Sequence, residues 1–538
     1  METAATTSPT TAAPATSSTT IPRVDVVLED LSYSVPITNR NDDRFTILHN
    51  IQASFTAGQL TALMGPSGSG KSTLLDILAG RKNVTNLSSG SKVWFNGRAP
   101  DLEAYRQTVG YVEQFDTLVG ELTVESMLQY TAALKLPRHT TPTARAARVQ
   151  EVLEMLNLES CRTNRIGKPL RRGISGGQAK RVNIGLALIT RPPVVLLDEP
   201  TSGLDSRVAN EVIQLLQTLA HEGPRTIVCT IHAPTGHAFA LFDHLYMIHN
   251  QTRHVANIEH NNNNGGGGQT IYDGPVVAAQ TYFETVSGIT KDPDASLPEW
   301  LVDLTSELQS LQSSKSGSRN STAHAEKADF VALYQASQLK SEADQARQAT
   351  LAKWQIKTQS DDSLNNTTAP SSDDLPPSEW SKLYTLLMYR GIANYQSPSY
   401  LGPRFGDKTL FGLLILSLYY GIGKDLDTRS IANTASFLFF LVCLCGFGAA
   451  AFVPTLNLER KLFYRELDDG CYAPTTYYAS KFIQEAILAL FSSGLFCVIT
   501  FFGLDLTGNF GIFFVTYYLT TLIGIILAYA MASIVPSL

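Results

Sequence analysis

Cysteine is scarce in this chain of 538 residues: there are six, at Cys161, Cys229, Cys443, Cys445, Cys471 and Cys497. No two stand at CxxC spacing, which removes the usual zinc frameworks, and nothing in their placement asks for an oxidising compartment. Basic charge is not in excess either. The 42 Lys and Arg face 48 Asp and Glu, a formal charge of -6, so no global field invites nucleic acid. The first twenty residues, METAATTSPTTAAPATSSTT, hold neither a basic n-region nor an apolar run and so do not read as a secretory signal. Their Ala, Thr, Ser and Pro cannot bury enough surface to order themselves, and residues 1–20 are expected to be a disordered tail.

What the chain does have is unevenly spread. Charged residues crowd the region before about Arg404, and long apolar runs fill almost everything after it. From about Val24 to Gly288 short apolar runs alternate with amphipathic stretches. QLTALMG (Gln59 to Gly65) and PVVLLDEP (Pro193 to Pro200) are bounded by turn residues, as strands buried on both faces of a parallel sheet would be. Leu122 to Leu158 has helical spacing interrupted at Pro137 and Pro142, and a hairpin is expected around Glu259 to Gly274, with the Asn and Gly tract at its tip. Residues 306–377 read as a flexible connector holding a charged helical stretch from about His324 to Gln355. The spacing therefore predicts an α/β domain over 21–305 and an all-α membrane domain over 378–538.

The membrane domain begins with an amphipathic connecting helix. Four apolar runs follow, at about 409–423, 431–455, 486–504 and 510–535. A span needs roughly 20 apolar residues, which the last three reach and the first does not. Arg404 and Lys408 precede the first run, and Arg460, Lys461, Arg465 and Lys481 separate the second from the third, so the positive-inside rule puts the N-terminal domain in the cytosol. Gln484 and Glu485, at the start of the third run, are expected either at the cytosolic interface or lining a cavity.

GPSGSGKST, from Gly65 through Pro66, Ser67, Gly68, Ser69, Gly70, Lys71 and Ser72 to Thr73, fits GxxxxGK[ST] between an apolar strand and a helical run. Glycines let backbone N–H groups converge on an anion, the helix adds its positive end, Lys71 reaches the outer phosphates and Ser72 can bind Mg²⁺. VVLLDEP then offers Asp198 to orient Mg²⁺ and Glu199 to polarise an attacking water. GISGGQAKR places Ser175, Gly176, Gly177 and Gln178 at the head of another helix, as a second anion nest or a plain helix cap.

In that order, with the phosphate loop about a hundred residues before the Ser-Gly-Gly turn and LLDEP about twenty after it, the chain resembles the nucleotide-binding domain of ATP-binding cassette (ABC) transporters. The resemblance implies an α/β P-loop NTPase using ATP and Mg²⁺. It makes Gln114 in GYVEQFD the Q-loop glutamine at Mg²⁺, Ser202, Gly203, Leu204 and Asp205 the D-loop, Ser175 to Gln178 the signature, and His232 in TIHAPTG the switch histidine at the γ-phosphate. Nucleotide domain before membrane domain is the order of the White/ABCG group. GPSGSGKSTLLDILAGR, TIHAPTGHAFALFDHLYMI and ERKLFYRELDDGCYAPTTYYASK resemble that group, the last being its region of coupling to the nucleotide domain.

With one P-loop and one signature, the resemblance implies a half-transporter that needs a second half, identical or different, and that exports or flips a lipid, sterol or xenobiotic. It also implies a multi-pass protein with lipid and a hydrophobic small molecule as partners, the plasma membrane being favoured over an organelle. Gln178 replaces the usual Glu, SLPEWLVDL lacks the usual Asn before its Pro, and Val35 stands where a stacking aromatic is usual. Four apolar runs instead of six also leave open a truncated, transport-incompetent subunit that binds ATP and regulates a full-length partner.

Overall fold

A computed structural model of the protein describes residues 21–37, 44–167, 173–250, 267–313, 329–360, 375–422, 428–450 and 453–534. The expected N-terminal tail and the Asn/Gly tip of the hairpin lie outside them. Nine strands form one sheet: β1 (Val26–Pro36), β2 (Arg44–Phe55), β3 (Leu60–Met64), β4 (Lys92–Phe95), β5 (Val109–Val112), β6 (Val194–Leu197), β7 (Thr226–Thr230), β8 (His244–Asn250) and β9 (Gly268–Pro275). Their order is β4-β1-β2-β9-β8-β3-β7-β6-β5. From β8 to β5 every neighbour is parallel, while β4-β1-β2 and β9-β8 pair antiparallel. The expected hairpin is the β8–β9 pair.

The strands LTALM, VVLL and TIVCT are buried at every residue, as apolar runs without polar alternation must be. Period-two side chains then divide two cores. Leu60, Ala62, Met64, Val195, Leu197, Ile227 and Cys229 face one layer. Leu63, Val194, Leu196 and Val228 face the other, with Leu74, Leu75, Ile77 and Leu78 of the helix Lys71–Leu78. The Leu122 to Leu158 stretch forms two helices, Val124–Lys135 and Pro142–Met155. Pro142 opens the second at a position where its missing N–H costs nothing, and the Thr141 hydroxyl caps the same end.

The helical stretch inside the expected connector packs on the sheet. Its helices, Phe330–Gln335 and Gln338–Ser360, lie against β9 and β2, where Lys340 and Arg347 both donate to Gln52 Oε1, at 2.7 and 3.0 Å.

The C-terminal part is all helical. The connecting helix Glu379–Leu386 runs into a widened π turn, Leu387–Gly391, and then come Pro398–Leu418, Thr428–Ala450, Val453–Asp468, Pro474–Gly503 and Phe510–Ile534. Among the described residues Pro474–Gly503 and Phe510–Ile534 are long and apolar enough to cross a membrane, and Ile431–Cys443 is a shorter apolar stretch. The first expected run is the second half of a longer helix that carries Arg404, Asp407 and Lys408.

The third run begins at Pro474 rather than near Ala486, because its polar first turns are buried by partners that hydropathy does not register. Glu485 accepts hydrogen bonds from Tyr400 Oη at 2.7 Å and Arg404 Nε at 2.8 Å, and the Gln484 side chain accepts from Asn394 Nδ2 at 3.2 Å. Both side chains are buried against the preceding helices.

The π turn carries Arg390, which is buried. Arg390 donates to Glu466 at 3.2 Å and to Glu459; Lys481 donates to Glu459 at 2.9 Å, and Tyr472 and Tyr477 donate to Glu466 and Glu459 at 2.5 and 3.2 Å. Removing one member of a buried charge cluster strands the others without solvent. Arg390→Ala is expected to cost about 3–5 kcal/mol, read as a lowered unfolding midpoint in detergent. Arg191→Ala, which breaks a half-exposed pair with Glu151, should cost under about 1 kcal/mol.

Candidate nucleotide site

Four loops leave the sheet at the carboxyl ends of the adjacent parallel strands β3, β7, β6 and β5. They carry Gly65, His232, Asp198 and Gln114 respectively. Parallel α/β sheets bind ligands along this edge, because the strand ends and helix starts there leave backbone groups and side chains facing outward.

In the first loop Gly65, Gly68 and Gly70 take φ of 145°, 78° and 96°, values closed to most side chains. Gly70 caps the helix Lys71–Leu78 with no side-chain hydrogen bond, so no side chain blocks the converging N–H groups. Lys71 is buried, donating to the Gly65 and Pro66 carbonyls at 2.8 and 2.9 Å. Burial holds its ammonium below the ordinary lysine value, and the Glu199 and Asp198 carboxylates pull the other way. The Ser69 hydroxyl is buried with no protein partner. An uncapped helix start, a buried amine and a spare hydroxyl together fit a phosphate group.

The acidic end is equally tight. Asp198 Oδ1 accepts from Ser72 Oγ at 3.1 Å and Thr230 Oγ1 at 2.6 Å. Burial raises the Asp198 pKa, and those two hydrogen bonds oppose the shift. Thr230 Oγ1 also accepts from the Glu199 N–H at 2.7 Å, and Gln114 Nε2 donates to Glu199 Oε2 at 2.8 Å. Glu199 itself sits at φ 45°, a strained value for a residue with a Cβ. His232 is exposed, and the next residue, Ala233, has φ 101°.

The structure thus gathers the P-loop, Ser72, Asp198, Glu199 and Gln114. The signature turn lies with the D-loop instead. Ser175 and Gln178 close a reciprocal capping box on the helix Gly176–Leu188, at 3.3 and 3.0 Å. A Cβ on Gly177 would strike Val208, so this glycine lets that helix start pack closely on the helix that follows the D-loop, while a Cβ on Gly176 would stand 3.6 Å from Leu204, an ordinary contact. Asp205 caps the following helix through the Val208 N–H at 3.0 Å. That helix start is therefore a cap, whatever else it does.

Residues 48–202 match the family model of ABC transporters, and residues 381–538 match that of ABC-2 type transporters. The chain belongs to the ABC transporter family. Curated relatives of this ABC transporter chain include ABC transporter G family member 36 of Oryza sativa subsp. indica, 29% identical over 92% of this chain and 32% of its own length. ABC transporter G family member 31 of Arabidopsis thaliana is 28% identical over 91% of the chain and 32% of its own. A probable ATP-dependent permease of Saccharomyces cerevisiae is 29% identical over 85% of the chain and 47% of its own. The chain thus spans about a third to a half of the length of these relatives.

Two supports of the site carry no motif. Thr230 shows in the sequence only as a polar residue ending an apolar strand. Gly268, on the far side of the hairpin tip, packs so closely on the P-loop that a Cβ would collide with the Ser69 carbonyl oxygen, while Leu48 of its partner strand would lie 2.6 Å from a Cβ on Gly70. Gly268→Ala is expected to weaken nucleotide binding about tenfold or more with the P-loop sequence intact, in a titration with a fluorescent nucleotide. Gly90→Ala, where a Cβ would meet open space, should leave that titration unchanged.

Proposed function

We propose that this ABC transporter chain is an ATP-hydrolysing half-transporter that moves a hydrophobic compound such as a lipid, sterol or xenobiotic across a membrane. The observation that carries it is the Gln114–Glu199 pair beside the Ser72–Asp198 pair at one sheet edge, in a chain whose residues 381–538 match an ABC-2 membrane domain. Lys71 and the backbone of Gly65 to Thr73 hold the phosphates. Ser72, Asp198 and Gln114 would hold Mg²⁺, whose oxygen-only preference they suit, and which when bound neutralises phosphate charge.

Glu199 takes the proton of the attacking water, with Gln114 fixing one carboxylate oxygen and Thr230 fixing the backbone beneath. His232 contacts the γ-phosphate. The signature, Ser175 to Gln178, stands with the D-loop, and this supports a dimer in which a second chain's signature closes each ATP site. Arg460, Lys461 and Arg465 favour a cytosolic cassette, with the plasma membrane as the expected location.

Glu199→Gln is expected to lower ATPase kcat by about 10²–10⁴ while ATP still binds within about twofold of wild type, since the change removes the base and keeps the shape. Substrate uptake into inverted vesicles should require ATP in the wild type and vanish in this variant. Movement that continues without ATP would refute active transport.

A further inference from the structure

The turn that joins the helix Val453–Asp468 to the helix Pro474–Gly503 breaks a local rule. The helix closes through Gly470 N–H to Leu467 O at 3.0 Å and Cys471 N–H to Glu466 O at 2.9 Å, with Gly470 at φ 68°. These are the paired bonds of a Schellman end, and they fix Asp468 and Asp469 at the helix C-terminus. Unpaired carbonyls make that end negative, so lysine or arginine belongs there and two acids do not. A sequence that breaks a local preference needs a gain elsewhere.

The gain lies in the cassette. Asp469 Oδ1 accepts from Arg81 at 2.5 Å and Oδ2 from Lys135 at 2.7 Å. Burial alone would raise the Asp469 pKa, but Lys135 and Arg81 hold the carboxyl well below its usual range. Arg81 stands just past the P-loop helix, lies 4.1 Å over the Tyr111 ring, and donates its other nitrogen to Glu113 Oε1 at 2.9 Å. Glu113 is the covalent neighbour of Gln114, whose amide holds Glu199. The same segment is held further along by Lys180 on the Gln114 carbonyl and by Arg465 on the Thr117 carbonyl, each at 2.9 Å. Arg465 lies on the helix Val453–Asp468, which Asp469 directly follows.

We propose that Asp469 is a positioning residue through which the membrane domain sets Gln114 against Glu199, acting by way of Arg81 and Glu113. The proposal rests on the ATPase reading above. It adds that a carboxylate of the membrane domain, outside every nucleotide motif, governs the orientation of the hydrolytic pair. Lys135 ties the second carboxylate oxygen to the end of the helix Val124–Lys135. Neither Arg81 nor Lys135 belongs to Gly65–Thr73, which separates a kcat effect from a binding effect.

The test uses the full chain in lipid nanodiscs as wild type, Asp469→Ala, Asp469→Glu and Glu199→Gln. Amide hydrogen exchange is followed over Tyr111 to Thr117, and kcat and KM for ATP are measured in parallel. In Asp469→Ala, exchange over Tyr111 to Thr117 should rise about fivefold or more relative to β3 and β6, and kcat should fall about tenfold with KM within about twofold. Asp469→Glu should restore both. Unchanged exchange, exchange raised equally in β3 and β6 as general loosening would give, or an unchanged kcat despite raised exchange would each overturn the proposal. If the wild type shows no Glu199-dependent hydrolysis yet the exchange difference appears, the ATPase reading fails and the positioning stands.

Discussion

A guanidinium removed from water decides how the helices beside the cassette are joined to one another. Arg390 lies in the π turn after the connecting helix and meets Glu459 and Glu466 of one helix, with Lys481 of the next closing the cluster. Two cations and two carboxylates balance, and tyrosine hydroxyls occupy further acceptor positions. Desolvating such groups costs more than most contacts return, so the cluster survives only if its partners stay in register. The connecting helix, the helix Val453–Asp468 and the first turns of Pro474–Gly503 are therefore bound to move together. Tyr389, beside Arg390, sets its ring 5.9 Å from Tyr130 of the cassette, which brings the junction into contact with the nucleotide domain.

The cassette uses the same economy of position. Four adjacent parallel strands deliver four loops to one edge, and the residues that matter there are held by neighbours, not by their own motifs. Thr230 serves Asp198 through its hydroxyl hydrogen and Glu199 through its oxygen. Gly268 and Leu48 define how near β9 and β2 approach the phosphate loop. The strained backbone at Glu199 is stable because β6, β7 and Gln114 constrain it from three directions.

Much of this was legible in the residues alone. LTALM and VVLL announced buried parallel strands because a strand covered on both faces shows no polar alternation. GPSGSGKST announced its turn because its backbone angles are open mainly to glycine. The start of the helix at Pro474 was not legible, since Lys481, Gln484 and Glu485 look like the polar edge of an apolar run until Glu459, Asn394 and Arg404 are known to cover them. Nor did the helical stretch after residue 328 read as part of the cassette; its charges satisfy Gln52, nearly three hundred positions earlier.

The sequence by itself determined the order of the domains, the buried strands β3 and β6, and the contiguous loops of the nucleotide site, because each is carried by a short stretch of neighbouring residues. Only the tertiary structure decided which charges neutralise which. Asp469 meets Arg81 across 388 positions of chain, and Arg390 meets Glu466 across 76. Periodicity carries no trace of such pairs. Coulomb attraction and desolvation depend on distance in space, which only the packed fold defines.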